Sequence, residues 1–345
     1  MTPAARGAFI GYGHVASEGH SPAWCAREDV VITAAVEVAP ARRERFLQTW
    51  PQASCYWSLE ELLAGESLDF VDICTPPGSH AGLIGKALAA GLHVLCEKPL
   101  TTRADDALRL AAQARRTGRV LHTVHNWLAA PICRQISQLI AAGEIGEVRS
   151  VNWTVLRTQP SVAVSSDGEA NWRLDPETAG GGILLDHGWH AFYCVGRWLG
   201  GEPRRISARL ENRGHQGLAV EDTATVELDS GRATGRIHLT WAGQERSNQI
   251  EIEGGLGRIR IQGESVFLET AAGSRHWSCP PSLSAGSHHA DWFSAVADDF
   301  LAAVAGGGAG NLAEAVLCAR LMQLAQQSNA SGGAWLDLGA DERVS

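Results

Sequence analysis

Residues 11–16, Gly11-Tyr12-Gly13-His14-Val15-Ala16, decide the fold of the N-terminal part of the chain. They follow the apolar run Ala8-Phe9-Ile10 and fit the pattern G-x-G-x-x-G/A between a strand and a helix. In this pattern the first glycine permits a tight turn, the second lets the backbone approach a pyrophosphate, and a small third residue lets the helix pack on the strand. N–H groups at the start of the helix then face the phosphates. The stretch therefore predicts a dinucleotide-binding turn with Gly11, Tyr12, Gly13, His14 and Val15 at the cofactor.

Strand and helix patterns alternate through residues 1–125. The apolar runs lie at 8–10, 30–38, 70–74, 93–96 and 120–124, and the helical stretches at 80–90 and 103–117. Strands that alternate with helices pair in parallel through right-handed crossovers. This part therefore predicts an α/β domain with a doubly wound parallel sheet, a Rossmann domain.

The pattern changes in residues 126–345, which we assign to a second α/β domain. Consecutive strands are predicted at 148–156, 206–210, 223–228, 234–241, 249–253, 258–261 and 266–268, followed by helices at 292–305 and 312–327. Many of these strands alternate polar with apolar residues and are joined by short turns, which favours a large, open, mostly antiparallel sheet. Whether the closing helices pack back on the first domain stays open.

Composition excludes several classes of function. The 345 residues carry a formal charge of −9, which disfavours binding to nucleic acid. No run of eighteen or more apolar residues occurs, so no membrane-spanning helix is predicted. The eight cysteines are scattered without a Cys-x-x-Cys pair, which is typical of reduced thiols in the cytoplasm.

Two further segments of the first domain are candidate cofactor contacts. Glu37 ends the second strand, where a carboxylate binds ribose hydroxyls and favours NAD over NADP. The alternative is a solvated acid, and Arg42 or Arg43 could soften the preference. Thr75-Pro76-Pro77 and His80 follow the third strand, at the sheet edge where doubly wound folds hold the cofactor. A plain strand-to-helix turn is the alternative there.

The tripeptide Glu97-Lys98-Pro99 is the first candidate for chemistry. It follows the apolar run 94–96, so the lysine stands at the carboxyl end of a central strand. A lysine there is costly unless it faces a ligand or a carboxylate, and its ammonium could hydrogen-bond a reacting hydroxyl. A Glu–Lys surface pair is the alternative.

The segment 180–190 is the second candidate. After the run Gly180-Gly181-Gly182, Asp186 and His190 would share one helix face at i and i+4. The carboxylate could then orient the imidazole as a base for a hydroxyl proton. A buried core histidine is one alternative. A metal bound by His187 and His190 is another, but we predict no metal because no third well-spaced ligand accompanies them.

Together these motifs resemble the glucose–fructose oxidoreductase/inositol dehydrogenase (Gfo/Idh/MocA) family over nearly the whole chain. The matching segments are Gly11-x-Gly13-x-x-Ala16, Thr75-Pro76-Pro77 with His80, Glu97-Lys98-Pro99, Gly143-Glu144-Ile145-Gly146, Trp172-Arg173, residues 180–190 and Glu221-Asp222-Thr223-Ala224. The resemblance implies a site between the two domains, with Lys98, Asp186 and His190 around the reacting carbon and Glu97 at the cofactor. It also implies reversible oxidation of a secondary alcohol on a sugar, cyclitol or sugar acid with NAD, and a homodimer or homotetramer.

Substrate contacts are expected from Asn126, Trp172, Arg173 and Trp189. Twelve tryptophans are many for this chain, and the indoles of Trp153, Trp172, Trp189 and Trp241 could line the cleft, although core packing is the alternative for each. The chain departs from the family at Tyr193, where many members have an aspartate three residues after the histidine.

Three functions remain open. The first is a dehydrogenase with Lys98 and His190 as acid and base. The second is an NAD-dependent glycosidase that oxidises its substrate transiently, and the third is a regulator that binds NAD without catalysis. Since the regulator would be expected to lack the lysine or the histidine, it ranks last.

Overall fold

The computed structural model describes residues 4–160, 171–286 and 288–339, and the chain divides into two units. Unit 1 comprises residues 1–126 and 288–316, and unit 2 comprises residues 127–287 and 317–345. Residues 288–316, which the sequence-based division assigned to the second domain, group with unit 1.

Unit 1 contains a six-stranded parallel sheet flanked by helices, which confirms the predicted doubly wound fold. Its strands are β1 (Ala5–Ile10), β2 (Val30–Val36), β3 (Ser54–Tyr56), β4 (Phe70–Ile73), β5 (His93–Cys96) and β6 (Leu121–Thr123). The α-helices among them are α1 (Ser21–Cys25), α2 (Pro40–Thr49), α3 (Leu59–Gly65), α4 (Pro77–Ala89) and α5 (Ala104–Thr117). The strand order is β3-β2-β1-β4-β5-β6, so β2 and β3 lie on one side of β1 and β4 to β6 lie on its other side. A crevice at the carboxyl ends of strands opens at such a point.

Unit 2 contains a nine-stranded sheet in the order β14-β13-β12-β11-β7-β10-β9-β8-β15, in which only the β7–β10 pair is parallel. Its strands are β7 (Val148–Leu156), β8 (Arg205–Glu211), β9 (Thr223–Asp229), β10 (Thr234–Thr240), β11 (Ser247–Gly254), β12 (Gly257–Gln262), β13 (Ser265–Thr270), β14 (Gly273–Ser278) and β15 (Leu336–Asp337). The remaining α-helices of the chain are α6 (Pro131–Ala141), α7 (Pro176–Ala179), α8 (Trp189–Trp198), α9 (Ala290–Gly306) and α10 (Leu312–Ala330). The mostly antiparallel second sheet is thereby confirmed.

Helix α9 completes the core of unit 1. Its Phe293 ring lies 5.6 Å from Trp24, and its Phe300 ring lies 5.4 Å from Phe70. All four rings are buried, and burying one such side chain contributes about 1.5–3 kcal/mol. Helix α9 therefore belongs to the Rossmann unit although it lies far along the chain.

Two segments that the sequence predicted as α-helix are π-helical instead. Val15–His20 follows the glycine turn of unit 1, and Leu184–Gly188 follows the glycine run of unit 2. Single π-helical turns are rare and occur frequently at functional sites. Both of them lie at candidate sites of this chain.

Among the described residues, no helix is long and apolar enough to cross a lipid bilayer. All eight cysteines have free thiols in the structure.

Candidate functional site

The glycine turn after β1 has the geometry that a pyrophosphate needs. Gly11 has a φ of +84°, and a Cβ on it would lie 2.8 Å from Cγ2 of Thr75. A Cβ on Gly13 would meet nothing within 4 Å, so the space beside this backbone is open. The turn therefore fits a dinucleotide phosphate group, as the motif predicted.

Tyr12 does not present its ring to this space. The side chain is 0% exposed, and its ring packs 5.3 Å from Phe9 and 5.0 Å from Phe46. Its hydroxyl donates to Oγ of Ser21. Tyr12 could therefore contact a cofactor only through its backbone. His14, in contrast, is exposed, and Val15 is half-buried.

The carboxylate of Glu37 is fixed by backbone N–H groups. One oxygen accepts from Tyr12 N at 2.8 Å, and the other accepts from Val38 N and Ala39 N at 2.8 Å each. Nη1 of Arg42 lies 3.9 Å from Oε1 of Glu37. Since Glu37 is only 4% exposed, the alternative of a solvated strand-end acid is wrong. The carboxylate is held at the end of β2, directly beside the glycine turn.

Arg43 supports the backbone near Glu37. Its guanidinium donates to the carbonyl oxygens of Glu37, Cys55 and Tyr56 and lies 3.8 Å from the ring centre of Trp57. These contacts tie the end of β2 to β3. Arg43 therefore has a structural task, which reduces its value as a partner for a 2′-phosphate.

The loop after β4 places its predicted cofactor residues in different surroundings. Thr75 and Pro76 are half-buried at the carboxyl end of the strand. His80 is 0% exposed, and its ring nitrogens lie 2.8 Å from Thr75 O and 2.9 Å from Pro99 O. His80 therefore ties the loops after β4 and β5 together, and its predicted cofactor contact would not involve its ring nitrogens, since both face backbone carbonyls.

Glu97 and Lys98 directly follow β5. They lie at the same edge of the sheet as the loop after β4, since Ile73 at the end of β4 pairs with Cys96 at the end of β5. One carboxylate oxygen of Glu97 accepts from Lys98 N at 2.9 Å, and the other lies 3.1 Å from Nε2 of His20. Burial alone would raise the pKa of Glu97, but the contact with His20 lowers it. Glu97 is thus bound within the protein, while Lys98 is half-buried and precedes a cis peptide bond to Pro99.

In unit 2, Asp186 lies beside His187 and near Arg173. Its carboxylate is 3.1 Å from Nδ1 of His187 and 4.0 Å from Nε of Arg173. Arg173 in turn lies 4.4 Å from the ring centre of Trp172, and both side chains are half-buried. The i, i+4 spacing predicted for Asp186 and His190 assumed an α-helix, but the backbone from Leu184 to Gly188 winds as a π-helix.

His190 is oriented by Tyr193 and Trp127. Its Nδ1 lies 2.7 Å from the hydroxyl oxygen of Tyr193, which also accepts from Trp127 N at 3.1 Å. Its ring stacks on the Trp127 indole with 4.4 Å between centres and 8° between planes. Tyr193, the departure from the family pattern, therefore supplies a contact that fixes the imidazole. Sequence reasoning missed Trp127 as a partner because the two segments are far apart in the chain.

The glycine run before His190 is explained by Glu221. Its carboxylate accepts from Gly182 N and Leu184 N at 3.0 Å, and its carbonyl accepts from Ile183 N at 3.1 Å. A Cβ on Gly182 would lie 1.9 Å from Glu221 O, so only glycine fits. Burial raises the pKa of Glu221. This contact fixes where the helical segment carrying Asp186 and His190 begins.

The expected substrate contacts are placed unevenly. Trp153, Trp189 and Trp241 are at most 1% exposed, which favours the alternative of core packing for these three. Their indoles pack as large apolar groups do. Trp172 stays half-buried. Oδ1 of Asn126 is buried and has no hydrogen-bond partner within the described ranges.

Both parts of the chain match family models. Residues 5–125 match the oxidoreductase family with an NAD-binding Rossmann fold, and residues 133–260 match a Gfo/Idh/MocA C-terminal domain. Together the two matches cover most of the chain.

Two named relatives act on sugars according to their names. The chain is 35% identical to D-xylose 1-dehydrogenase (NADP(+)) 2 of Haloferax volcanii over 188 residues, 54% of this chain and about half (55%) of that enzyme. It is 30% identical to dTDP-3,4-didehydro-2,6-dideoxy-alpha-D-glucose 3-reductase of Saccharopolyspora spinosa, over 70% of this chain and 69% of that enzyme.

A solved structure shares the fold along nearly the whole chain. It is an oxidoreductase from Agrobacterium radiobacter in complex with NAD+, L-tartaric acid and magnesium. The TM-score is 0.84 with 24% identity, over 97% of this chain and 99% of that one.

Proposed function

The chain belongs to the Gfo/Idh/MocA family of oxidoreductases, and from this premise we propose that it transfers a hydride between NAD and a secondary alcohol carbon of a sugar, cyclitol or sugar acid. One observation carries the proposal. The carboxyl ends of β1, β4 and β5 bring the Gly11 turn, Thr75 and Lys98 to one edge of the unit 1 sheet. A dinucleotide site that includes a candidate acid is the chemistry a dehydrogenase requires.

The residues that would hold NAD are those of the glycine turn and the strand ends. The open backbone at Gly13 would receive the pyrophosphate, and the fixed carboxylate of Glu37 would meet the adenosine ribose. NAD is favoured over NADP because this buried carboxylate would repel a 2′-phosphate. When bound, the nicotinamide supplies the acceptor or donor of the hydride.

Lys98 and His190 are proposed as the acid and base. The Lys98 ammonium would donate a hydrogen bond to the reacting oxygen, and the imidazole of His190 would take the hydroxyl proton as the hydride leaves the same carbon. If Nδ1–H of His190 donates to the Tyr193 oxygen, Nε2 keeps the lone pair that a base needs. Asp186 and Arg173 would position substrate hydroxyl or carboxylate groups beside them.

We further expect a homodimer or homotetramer that associates through the large open sheet of unit 2, and residence in the cytoplasm, in keeping with the free thiols. Light scattering after size exclusion would check the assembly, and a mass of one chain would refute it.

The direct test is a screen of sugars, cyclitols and sugar acids with NAD and NADP in parallel. We expect reduction of NAD by a cyclic polyol or sugar acid, measured as absorbance of the reduced cofactor. Activity confined to acyclic or non-carbohydrate substrates would refute the substrate class. Cleavage of a glycoside without net change in cofactor absorbance would refute the dehydrogenase.

A further inference from the structure

His20 is at the centre of a buried polar cluster in unit 1 that the proposed reaction does not use. Its Nδ1 lies 2.9 Å from one carboxylate oxygen of Asp72, and its Nε2 lies 3.1 Å from Oε1 of Glu97. The ring is 2% exposed and stacks on Phe293, with 3.7 Å between centres. A buried ring with a carboxylate at each nitrogen is a costly arrangement unless it has a task.

The geometry favours a doubly protonated ring. A neutral imidazole carries one N–H, so one of its nitrogens would turn a lone pair toward a carboxylate. With both nitrogens protonated, His20 donates to Asp72 and to Glu97 at once. Burial alone would lower the pKa of His20, but the Asp72 carboxylate, aided by Cys74, raises it well above its ordinary value.

The neighbours of His20 agree with this charge state. From β4, Asp72 is 0% exposed and also accepts from Nε1 of Trp24 at 2.8 Å. The Cys74 thiol lies 3.3 Å from Nδ1 of His20 and 3.4 Å from Asp72. Glu97 directly follows β5, and the uncharged ring of Phe293 belongs to α9. Two carboxylates face the ring, and no second cation contacts it within the described ranges.

Hydrogen bonds account for the closest of these separations, the one between His20 and Asp72, whereas the Cys74 distances of 3.3 and 3.4 Å fit a hydrogen bond or a bound ion alike. Donor atoms around a tetrahedral zinc ion, with bonds of about 2.0–2.3 Å, lie roughly 3.3–3.8 Å apart. The nitrogen and oxygen of His20 and Asp72 are closer, at 2.9 Å, a normal hydrogen-bond length.

We propose that His20 is a positioning residue whose imidazolium links Asp72 to Glu97 and thereby holds the Glu97–Lys98 peptide at the cofactor edge of the sheet. The link continues through Glu97, whose second oxygen accepts from Lys98 N at 2.9 Å. Asp72 lies inside β4, so the line of hydrogen bonds anchors Lys98 to the centre of the sheet. This inference rests on the proposed roles of Glu97 and Lys98.

The charge of His20 can be measured without substrate. In the full chain with isotope-labelled histidine, nuclear magnetic resonance would report the protonation of each ring nitrogen, with exposed His276 as the reference. We expect both nitrogens of His20 to stay protonated at a pH where free histidine is neutral. A neutral His20, or a stoichiometric metal ion in the purified protein, would overturn the proposal.

Two variants separate positioning from folding. The amide nitrogen of His20→Gln reaches about as far as Nε2 and keeps a donor toward Glu97, whereas that of His20→Asn matches Nδ1 and keeps only the Asp72 side. We expect kcat to fall about 100-fold in His20→Asn and about 10-fold or less in His20→Gln, with KM for the sugar nearly unchanged. Amide hydrogen exchange at Lys98 should accelerate more in the Asn variant.

Cys25→Ala is the control, because Cys25 is an exposed cysteine of α1 and does not belong to the cluster. It should keep kcat within about twofold of wild type, well short of the tenfold that one displaced group costs. Equal losses in the Asn and Gln variants, or full activity in the Asn variant, would overturn the positioning role. If the variants fail to fold, the resonance measurement on the wild type decides. If wild type lacks sugar oxidation while His20 is charged and protects Lys98, only the proposed function fails.

Discussion

The two units hold their candidate groups by different means. At the glycine turn of unit 1, backbone groups do this: three N–H groups fix the carboxylate of Glu37. Around His190 in unit 2, side chains hold a side chain, since His190 stacks on Trp127 and hydrogen-bonds to Tyr193. Backbone geometry suits a cofactor that many enzymes share, whereas side-chain packing can change with the substrate. We therefore expect substitutions at the glycine turn and Glu37 to act mainly on NAD binding, and those at Lys98 and around His190 on turnover.

The largest expected effect comes from the two proposed catalytic groups. Lys98→Ala and His190→Ala should each lower kcat by about two to four orders of magnitude, the usual contribution of a positioned acid or base. The dissociation constant of NAD, measured by fluorescence titration, should stay near that of wild type. Lys86→Ala is the control, since Lys86 forms an exposed pair with Glu60, and such pairs contribute little. Full activity in both catalytic variants would refute the assignment.

Glycine substitutions are expected to have the next largest effects, on stability in unit 2 and on NAD affinity in unit 1. In Gly182→Ala the new Cβ would collide with Glu221 O, so we expect unfolding to become easier by about 3 kcal/mol. In Gly13→Ala the Cβ meets open space, so stability should hold while the dissociation constant of NAD rises about tenfold or more, because the pyrophosphate needs that space. Urea unfolding and NAD titration of both variants check this. A stable Gly182→Ala protein or unchanged NAD affinity in Gly13→Ala would remove the distinction.

A histidine of unit 1 gives an effect of middle size, in stability rather than catalysis. Burial, with His125 nearby, lowers the pKa of His122 to about 3. Between this value and the unfolded value of about 6.5, the unfolded chain binds a proton that the folded chain does not. The stability contribution is therefore complete above about pH 6.5 and falls as the pH drops, by about 2 kcal/mol at pH 5. Between pH 7 and pH 5, the free energy of unfolding of His122→Leu, measured with urea, should fall by about 2 kcal/mol less than that of wild type. Equal decreases in the two proteins would contradict the buried neutral state.

The smallest expected effect tests the orientation of His190. Tyr193→Phe removes the hydroxyl that contacts Nδ1, so kcat should fall about tenfold, as expected when one hydrogen bond worth about 1.4 kcal/mol is lost. NAD affinity should not change. Tyr56→Phe, which removes a hydroxyl bonded to Glu66 in unit 1, should leave kcat as it was. A loss of NAD affinity in Tyr193→Phe would contradict the division of roles between the units.

The sequence predicted unit 1 well because its motifs are local. The Gly11 turn, Glu37 and Lys98 each follow an apolar run directly, and strand ends are where a doubly wound fold exposes its ligand groups. Strand β3 was missed because it has only three residues and none is fully buried. The roles of His80 and Tyr12 could not be predicted, since whether a side chain faces the core or the ligand depends on neighbours elsewhere in the chain.

The site in unit 2 was predicted less well because its contacts are distant in sequence. His190 stacks on Trp127. Gly182 donates a hydrogen bond to Glu221, which lies 39 residues further along the chain. The i, i+4 spacing of Asp186 and His190 assumed an α-helix, and nothing in the local sequence indicates that residues 184–188 form a π-helical turn. His20 was missed for the same reason, as its partners lie 52 and 77 residues away.

The account depends most on Lys98 and His190 acting on the same substrate carbon. A double-mutant cycle tests this directly: kcat/KM is measured for wild type, Lys98→Ala, His190→Ala and the double variant on the best substrate of the screen. Groups that act as a unit give strongly non-additive losses, so we predict that the double variant is about as slow as the slower single variant. Losses that multiply, as for two independent sites, would contradict the account.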